Sequence, residues 1–506
     1  MKKRRFLILF LFTILGGCLL NSLPLKYEGY FQGEYGSVYD SDEFKWNIWD
    51  ANIYFENRFY SDPLPGTNAY LKFYSDKENG EYKSGDLPVA ILTEGHISFR
   101  QEKNRVGLES VLFTRESGRY WLDSSLLELL DVDKVKDSDN GQGVRCDFWL
   151  KNTSLSNVIS DFSSDSGDDV YLARLRQVLF KEKLRLGITY QRKNYSSGGK
   201  KEYNSVLAGD INVKISDYYL SYELSNSAVP SDQEIHDQLN EYRELDEWNS
   251  IFKQNFASKG ELSGIKAGSN ALGFVTFTPG AYFYGDCYRN YMGKENENKY
   301  GGWINSSYLI PKRAVTITCN YNYNRKIVPD TLMIVNEIED SDEEFIKIES
   351  FDPETNLYTE LYVEFINGFK WKLAFNKKDQ KWRGYKYKHY DLFTELQVEN
   401  RLAKLMTQFK IKDLGETEEI QIWGIETSVN LTDKWRFFSR GLLANDRSGS
   451  RISIFGEISY KIGGNTEAYF QYGSSEYGRY GLVNDDGFAT GGNMKNEVKL
   501  IVRCWF

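Results

Sequence analysis

The sequence has little with which to do histidine or metal chemistry: it carries 3 His, and His96, His236 and His389 stand far apart, outside any HExxH arrangement. Cysteine is equally sparse. Of the 5 Cys, Cys18 lies in the opening segment, and Cys146, Cys287, Cys319 and Cys504 form no close pair of the kind that holds zinc or makes a redox dithiol. These thiols are read as small apolar fillers of strands. No phosphate-binding loop or dinucleotide fingerprint is present, and the acidic run Glu337 to Glu344 lacks the glycine and ligand spacing of a calcium loop. No nucleophile, base and orienting group recur in a catalytic pattern, so the chain is read as not an enzyme, with no cofactor, no metal and no catalytic residue. A net charge of -9 argues against nucleic acid as a partner.

Long hydrophobic runs are also missing after the first segment. Lys2, Lys3, Arg4 and Arg5 followed by the apolar run Phe6 to Leu20 have the layout of a secretory signal peptide, assigned to residues 1–20. Within it, Leu15-Gly16-Gly17-Cys18 resembles a lipoprotein cleavage box in which Cys18 becomes acylated; the alternative is a Cys in a discarded signal. Downstream there is no stretch of about 18 apolar residues. A membrane-resident chain of this composition must therefore cross as strands. Proline is scarce (9) and Tyr (36) and Phe (31) are abundant, as expected where lipid-facing residues alternate with polar ones and aromatic rings crowd two interfacial girdles.

What is there is alternation with period two. Trp49, Ala51, Ile53 and Phe55 alternate with Asp50, Asn52, Tyr54 and Glu56, and Ile91, Gly95, Ile97 and Phe99 with Glu94, His96, Ser98 and Arg100. The pattern returns in Val144 to Lys151, Leu184 to Tyr190, Tyr218 to Leu224, Val315 to Tyr323, Phe369 to Phe375, Leu392 to Glu399, Trp423 to Asn430 and Ile452 to Lys461. It ends in Glu497 to Phe506, where Val498, Leu500, Val502, Cys504 and Phe506 share one face, and Glu497, Lys499, Ile501, Arg503 and Trp505 the other. Short polar turns such as Gly463-Gly464-Asn465 and Asn376 to Gln380 suit one rim. Longer segments, Ser196 to Lys201, Gly293 to Gly302, Ile327 to Glu344 and Ser474 to Asn496, suit the other.

The signal segment, the repeated amphipathic strands and the closing Lys499-Leu500-Ile501-Val502-Arg503-Cys504-Trp505-Phe506 together resemble a Gram-negative outer-membrane, porin-like β-barrel, of the type that includes alginate-export proteins. These are class features, so no residue roles carry over. The resemblance implies an all-β transmembrane antiparallel barrel over residues 21–506 and outer-membrane lipid as its surroundings. It also implies recognition of the C-terminal strand by the barrel-assembly machinery. At about 40 to 60 residues per strand pair with its connections, the expectation is about 18 strands, within 16 to 20. The closing strand is expected to seal against a first strand near Tyr27 to Tyr35.

Two segments break the alternation. Across 231–256, Ile235, Leu239, Leu245, Trp248, Ile251 and Phe252 recur at helical spacing behind a Ser231/Glu234 capping box, which predicts one short acidic loop helix. If it folds into the lumen, Glu241, Glu244 and Glu247 constrict the pore; otherwise it is a solvated surface helix. Ser117 to Asn140 carries Leu126, Leu127, Leu129 and Leu130, too many leucines for a bare loop, and they are expected to dock at the barrel mouth.

The candidate pore-lining charges are Arg100, Arg105, Arg115, Arg145, Lys183 and Arg185, forming a basic patch on the first-half wall, with Glu395, Glu399, Glu426 and Glu457 on the second half and Arg503 on the last strand. Most are expected to pair across the wall. Tyr54, Trp149, Tyr219, Tyr358, Tyr362 and Trp505 fall on the same inward face, where they can stack on sugar rings or serve as girdle groups. The functional expectation is a channel for passive passage or export of small polar or anionic solutes. The alternative is a non-conducting barrel serving as a surface adhesin or structural anchor.

Overall fold

The computed structural model describes residues 25–228, 255–473 and 497–506, apart from short stretches of the intervening loops and turns. The signal segment, Cys18 and the predicted helix up to residue 254 lie outside the described residues; Phe256 already belongs to a strand. Among the described residues there is no α-helix.

The wall begins with β1 (Leu25–Asp40), β2 (Lys45–Ser61), β3 (Thr67–Glu78), β4 (Ile91–Lys103), β5 (Val106–Thr114), β6 (Gln142–Leu150), β7 (Thr153–Ser163) and β8 (Asp168–Leu179). It continues through β9 (Leu184–Ser197), β10 (Lys200–Ile215), β11 (Tyr218–Ala228), β12 (Phe256–Ser263, resuming as Ile265–Ser269), β13 (Gly273–Tyr284), β14 (Lys299–Ile310), β15 (Val315–Lys326) and β16 (Glu354–Ile366). It ends with β17 (Phe369–Trp382), β18 (Tyr385–Glu399), β19 (Ala403–Lys412), β20 (Ile420–Asn430), β21 (Trp435–Asp446), β22 (Gly449–Gly463), β23 (Thr466–Tyr472) and β24 (Glu497–Trp505).

Each strand pairs antiparallel with its neighbours, and β24 closes on β1 from Tyr30 opposite Trp505 to Val38 opposite Glu497. The result is a 24-strand barrel without a free edge. Closure is what lets strands stand in hydrocarbon, where no water is available to satisfy exposed backbone groups. The expected seam is therefore found, but the expected 18 strands become 24. Two features explain the miscount. Hairpins are closed by turns as short as Asn104-Arg105, whose φ angles of 53° and 65° form the left-handed pair that matches strand twist. Moreover, β7, β8 and β10 are apolar on both faces over part of their length, which erases the alternation that would have marked them.

Leu25, Phe506 and the short turns share one rim, and the long connections share the other. The long rim bears 115–141, 285–298 and 327–353, the last containing a separate hairpin of Asp330–Asn336 with Glu344–Ser350. Ser196 to Lys201, expected as a loop, stays paired almost to its tip, and Asn376 to Gln380, expected as a turn, lies within β17.

Alternation gives the wall its two surfaces. Outward, Leu108, Leu112, Phe148, Leu155, Ile159, Leu175, Ile188 and Leu207 are exposed as a lipid-facing belt; inward, Glu56, Arg174, Glu223, Arg440 and Gln471 are buried. A closed barrel with an apolar exterior and a polar interior is an outer-membrane β-barrel of Gram-negative type.

Candidate functional site

The lumen wall is a ladder of paired charges. Residues directly opposite on neighbouring strands point to the same side, so acids and bases placed inward meet across the ladder. Lys72 bridges Glu56 (3.3 Å) and Glu94 (3.8 Å), Lys372 meets Glu360 at 2.8 Å, Lys404 meets Glu426 at 3.4 Å, and Lys499 lies between Glu34 (3.2 Å) and Glu497 (2.9 Å). Such pairing leaves much of the wall locally neutral.

Against one arc of this wall, two long-rim loops fold into the barrel. From the first, Leu127 and Leu129 are 2% and 3% exposed, packed with Val206, Ala208, Ala257, Tyr284 and Tyr288. Tyr120, from the 3-10 turn Ser117–Tyr120, sits among Val111, Phe113, Val158, Val170 and Leu172, together with Met292 of the second loop. These apolar side chains point inward, which is why β7, β8 and β10 read as apolar on both faces. Burying each leucine contributes about 2 kcal/mol.

Polar contacts fix the depth of insertion. The Leu127 backbone N–H donates to the Glu223 carboxylate at 3.0 Å, and Glu223 lies halfway along β11. In the second loop the Asn290 side-chain amide donates to the Leu129 carbonyl (3.1 Å) and accepts from Gln191 (2.6 Å), while Ser225 bonds the Tyr288 hydroxyl at 2.9 Å. Tyr120 bonds Ser160 on β7. Burial pushes the phenols of Tyr120 and Tyr288 each up to about 12, so both stay neutral. At the root of the first loop, Glu116 accepts from His96 Nδ1 (2.5 Å) and Arg119 Nε (2.6 Å), and His96 Nε2 contacts Asn68 at 2.9 Å.

Below the inserted loop, towards the short-turn rim, a cavity of 420 Å³ opens between Leu126 and the wall. Arg174, Arg176, Lys181, Arg185 and Lys214 line it, against Glu182, Asp210 and Glu223, so it carries a net positive charge. Arg174 crosses to Asp210 at 2.9 Å and bonds Thr189 at 2.5 Å. Gly187 makes room for that crossing, since a Cβ there would lie 2.1 Å from the Asp210 carboxylate and 2.6 Å from the guanidinium.

The pore-lining candidates fall into two groups. Arg100, Arg145, Arg185, Glu395, Glu399, Glu426, Glu457 and Arg503 occupy the inner face of the wall, whereas Arg105 and Lys183 sit in short turns and Arg115 follows the end of β5 at the long rim. The expected first-half basic patch is dispersed. Arg100 pairs with Glu102 at 2.9 Å, Arg145 with Asp147 at 2.7 Å and Arg185 with Glu182 at 3.4 Å. Arg115 donates to the Leu92 carbonyl at 2.9 Å. Glu399 meets Lys370 at 3.6 Å, Glu395 accepts from Gln408, Glu457 from Gln471 at 2.6 Å, and Arg503 donates to Gln32 at 3.1 Å. Among the described candidates, Arg185 alone lines the basic cavity. Arg174 and Arg176 lie on β8 and Lys214 on β10, two strands whose apolar inward residues mask the alternation; the spacing of two in Arg174-Leu175-Arg176 is the signal the sequence carries for the first two. Glu241, Glu244 and Glu247 lie outside the described residues.

No family model matches the sequence, and no curated protein matches it. Among solved structures, the siderophore receptor PirA from Acinetobacter baumannii aligns at 10% identity over 95% of this chain and 80% of that chain, with a TM-score of 0.47. The ferric enterobactin receptor PfeA from Pseudomonas aeruginosa aligns at 9% identity over 95% and 80%, with a TM-score of 0.46. The copper transporter OprC aligns at 8% identity over 95% and 80%, with a TM-score of 0.43. At these values neither function nor ligand passes from those proteins to this chain.

Proposed function

We propose that this outer-membrane barrel is a conduit for small polar solutes with a preference for anions, and that the two inserted loops narrow it. The observation that supports this reading is the basic cavity under Leu126, where five cations stand against three acids. An excess of fixed positive charge beside a water-filled path raises the local concentration of anions and lowers the barrier to their passage. Purified protein in planar bilayers, under a salt gradient, tests it: the expected reversal potential is that of an anion-preferring pore. A cation preference refutes the solute assignment. Absence of any conductance favours the anchor or adhesin reading, which the loops occupying the lumen also accommodate.

A further inference from the structure

At the seam the wall carries aromatic rings on both faces. On the outside, Phe506 stacks on Phe55 with ring centroids 6.0 Å apart and lies 5.9 Å from Tyr27, which meets Phe59 at 5.2 Å. That group meets the need for aromatic residues at the membrane interface. The intervening residues face the lumen and form a second series: Trp505 to Tyr30 at 5.7 Å, Tyr30 to Tyr54 at 6.0 Å, and Tyr54 to Tyr74 at 6.0 Å. Lipid contact does not account for these rings, because alternation turns them away from it.

Beside them lies a cavity of 560 Å³ at the short-turn mouth, bounded by Tyr30, Tyr54, Trp505, Glu28, Glu56 and Arg58. Its volume falls within the roughly 300 to 1,000 Å³ of ligand pockets. Trp505 is 42% exposed, so its ring is accessible from the lumen. Glu56, only 6% exposed, is held in place by the Tyr54 hydroxyl and Arg58 Nε, both at 2.6 Å, and by Lys72. The site thus combines aromatic rings with a fixed carboxylate and a guanidinium.

We infer that this mouth is a saccharide-binding subsite. A pyranose presents a face of C–H groups, which the negative face of an aromatic ring attracts, and a rim of hydroxyls, which carboxylate and guanidinium groups hydrogen-bond. A simple anion would meet the negative ring faces, and a simple cation, which the rings attract, would find Glu56 already neutralised by Arg58 and Lys72. A purely apolar solute would leave Glu28, Glu56 and Arg58 desolvated without partners of its own. The inference stands apart from the anion preference and does not require that the pore conducts.

The test is calorimetric titration of the full barrel in lauryldimethylamine oxide, a detergent without a sugar head group, using maltohexaose and cellohexaose as probes. Binding of at least one is expected, weakened about fivefold or more in Trp505→Ala and in Tyr54→Ala, and retained in Tyr54→Phe. Heat-modifiable gel mobility checks that each variant is folded. If an alanine variant fails to assemble, the sugar-dependent change in tryptophan emission decides instead: it should be present in wild type and absent in Trp505→Phe. No binding of either probe, wild-type affinity in folded alanine variants, or the same emission change in Trp505→Phe would overturn the inference.

Discussion

A Cβ placed on Gly29 would lie 2.2 Å from the ring of Phe506. The two residues also exchange backbone hydrogen bonds, Gly29 N–H to the Phe506 carbonyl and Phe506 N–H to the Gly29 carbonyl at 3.0 Å. The seam is thus locked where β1 and β24 meet, with the ring seated on bare backbone between Tyr27 and Phe55. Any side chain on Gly29 displaces the ring.

The first prediction concerns that lock. Gly29→Leu and Phe506→Ala should each lower the yield of heat-modifiable, folded barrel in the outer membrane, Gly29→Leu more severely because it forces the ring off the wall, a clash costing about 1 to 3 kcal/mol. Protein that does assemble should conduct as wild type does, since both side chains lie on the lipid face. Unchanged assembly of both variants would show that the seam does not depend on this contact.

Much of the barrel was legible because its causes are local: alternation marks a strand wherever one face meets lipid and the other water. The closing strand and its partner were readable for that reason. The loop-docking arc was not. Val170 and Leu172 face inward yet are apolar, because Tyr120 and Met292, far away in sequence, cover them. The leucines of 126–130 did signal docking, but nothing local names the surface that receives them. The basic cavity was hidden with β8 for the same reason.

A second prediction follows from loop insertion. Leu127→Asp with Leu129→Asp should release the first loop, because two carboxylates would be desolvated against Val206, Ala208 and Ala257 at a cost of several kcal/mol. Single-channel conductance is expected to rise while heat-modifiable mobility is unchanged. Equal conductance would mean that the loop lies beside the permeation path.

A third prediction is acid release of the same loop. Burial alone would raise the Glu116 carboxyl, but hydrogen bonds from His96 and Arg119 and their charges outweigh it, and its pKa falls below the ordinary 4.5. A depressed pKa contributes stability that is present above 4.5 and is lost as pH falls through the lower folded value. Arg145, which donates to the Arg119 carbonyl at 3.1 Å, is the other cation facing this turn, and Asn68 closes the far side of His96. Hydrogen exchange at Glu116 to Tyr120, corrected for its intrinsic pH dependence, should therefore stay slow above the ordinary carboxyl value of 4.5 and accelerate as pH falls through the depressed one. Glu116→Gln should exchange quickly throughout. Slow exchange in that variant at neutral pH would remove the carboxylate from the latch.

The last prediction concerns the net charge of the cavity. A unit charge about 6 Å from a permeating ion in water is worth about 0.7 kcal/mol, a factor of roughly three in relative permeability. Arg176→Gln with Lys214→Gln removes two positive charges from the cavity under Leu126 and should reduce anion preference by roughly that factor or more, with the effect shrinking in high salt. Arg145→Gln with Asp147→Asn removes a matched pair at 2.7 Å and leaves the local charge unchanged, so its reversal potential should match wild type. The comparison works because both are double variants of the inner wall on the same half of the barrel: the first lowers the net charge by two and the second leaves it unchanged. Equal shifts from the two would mean that selectivity is set elsewhere in the lumen, and the basic cavity would lose its assigned role.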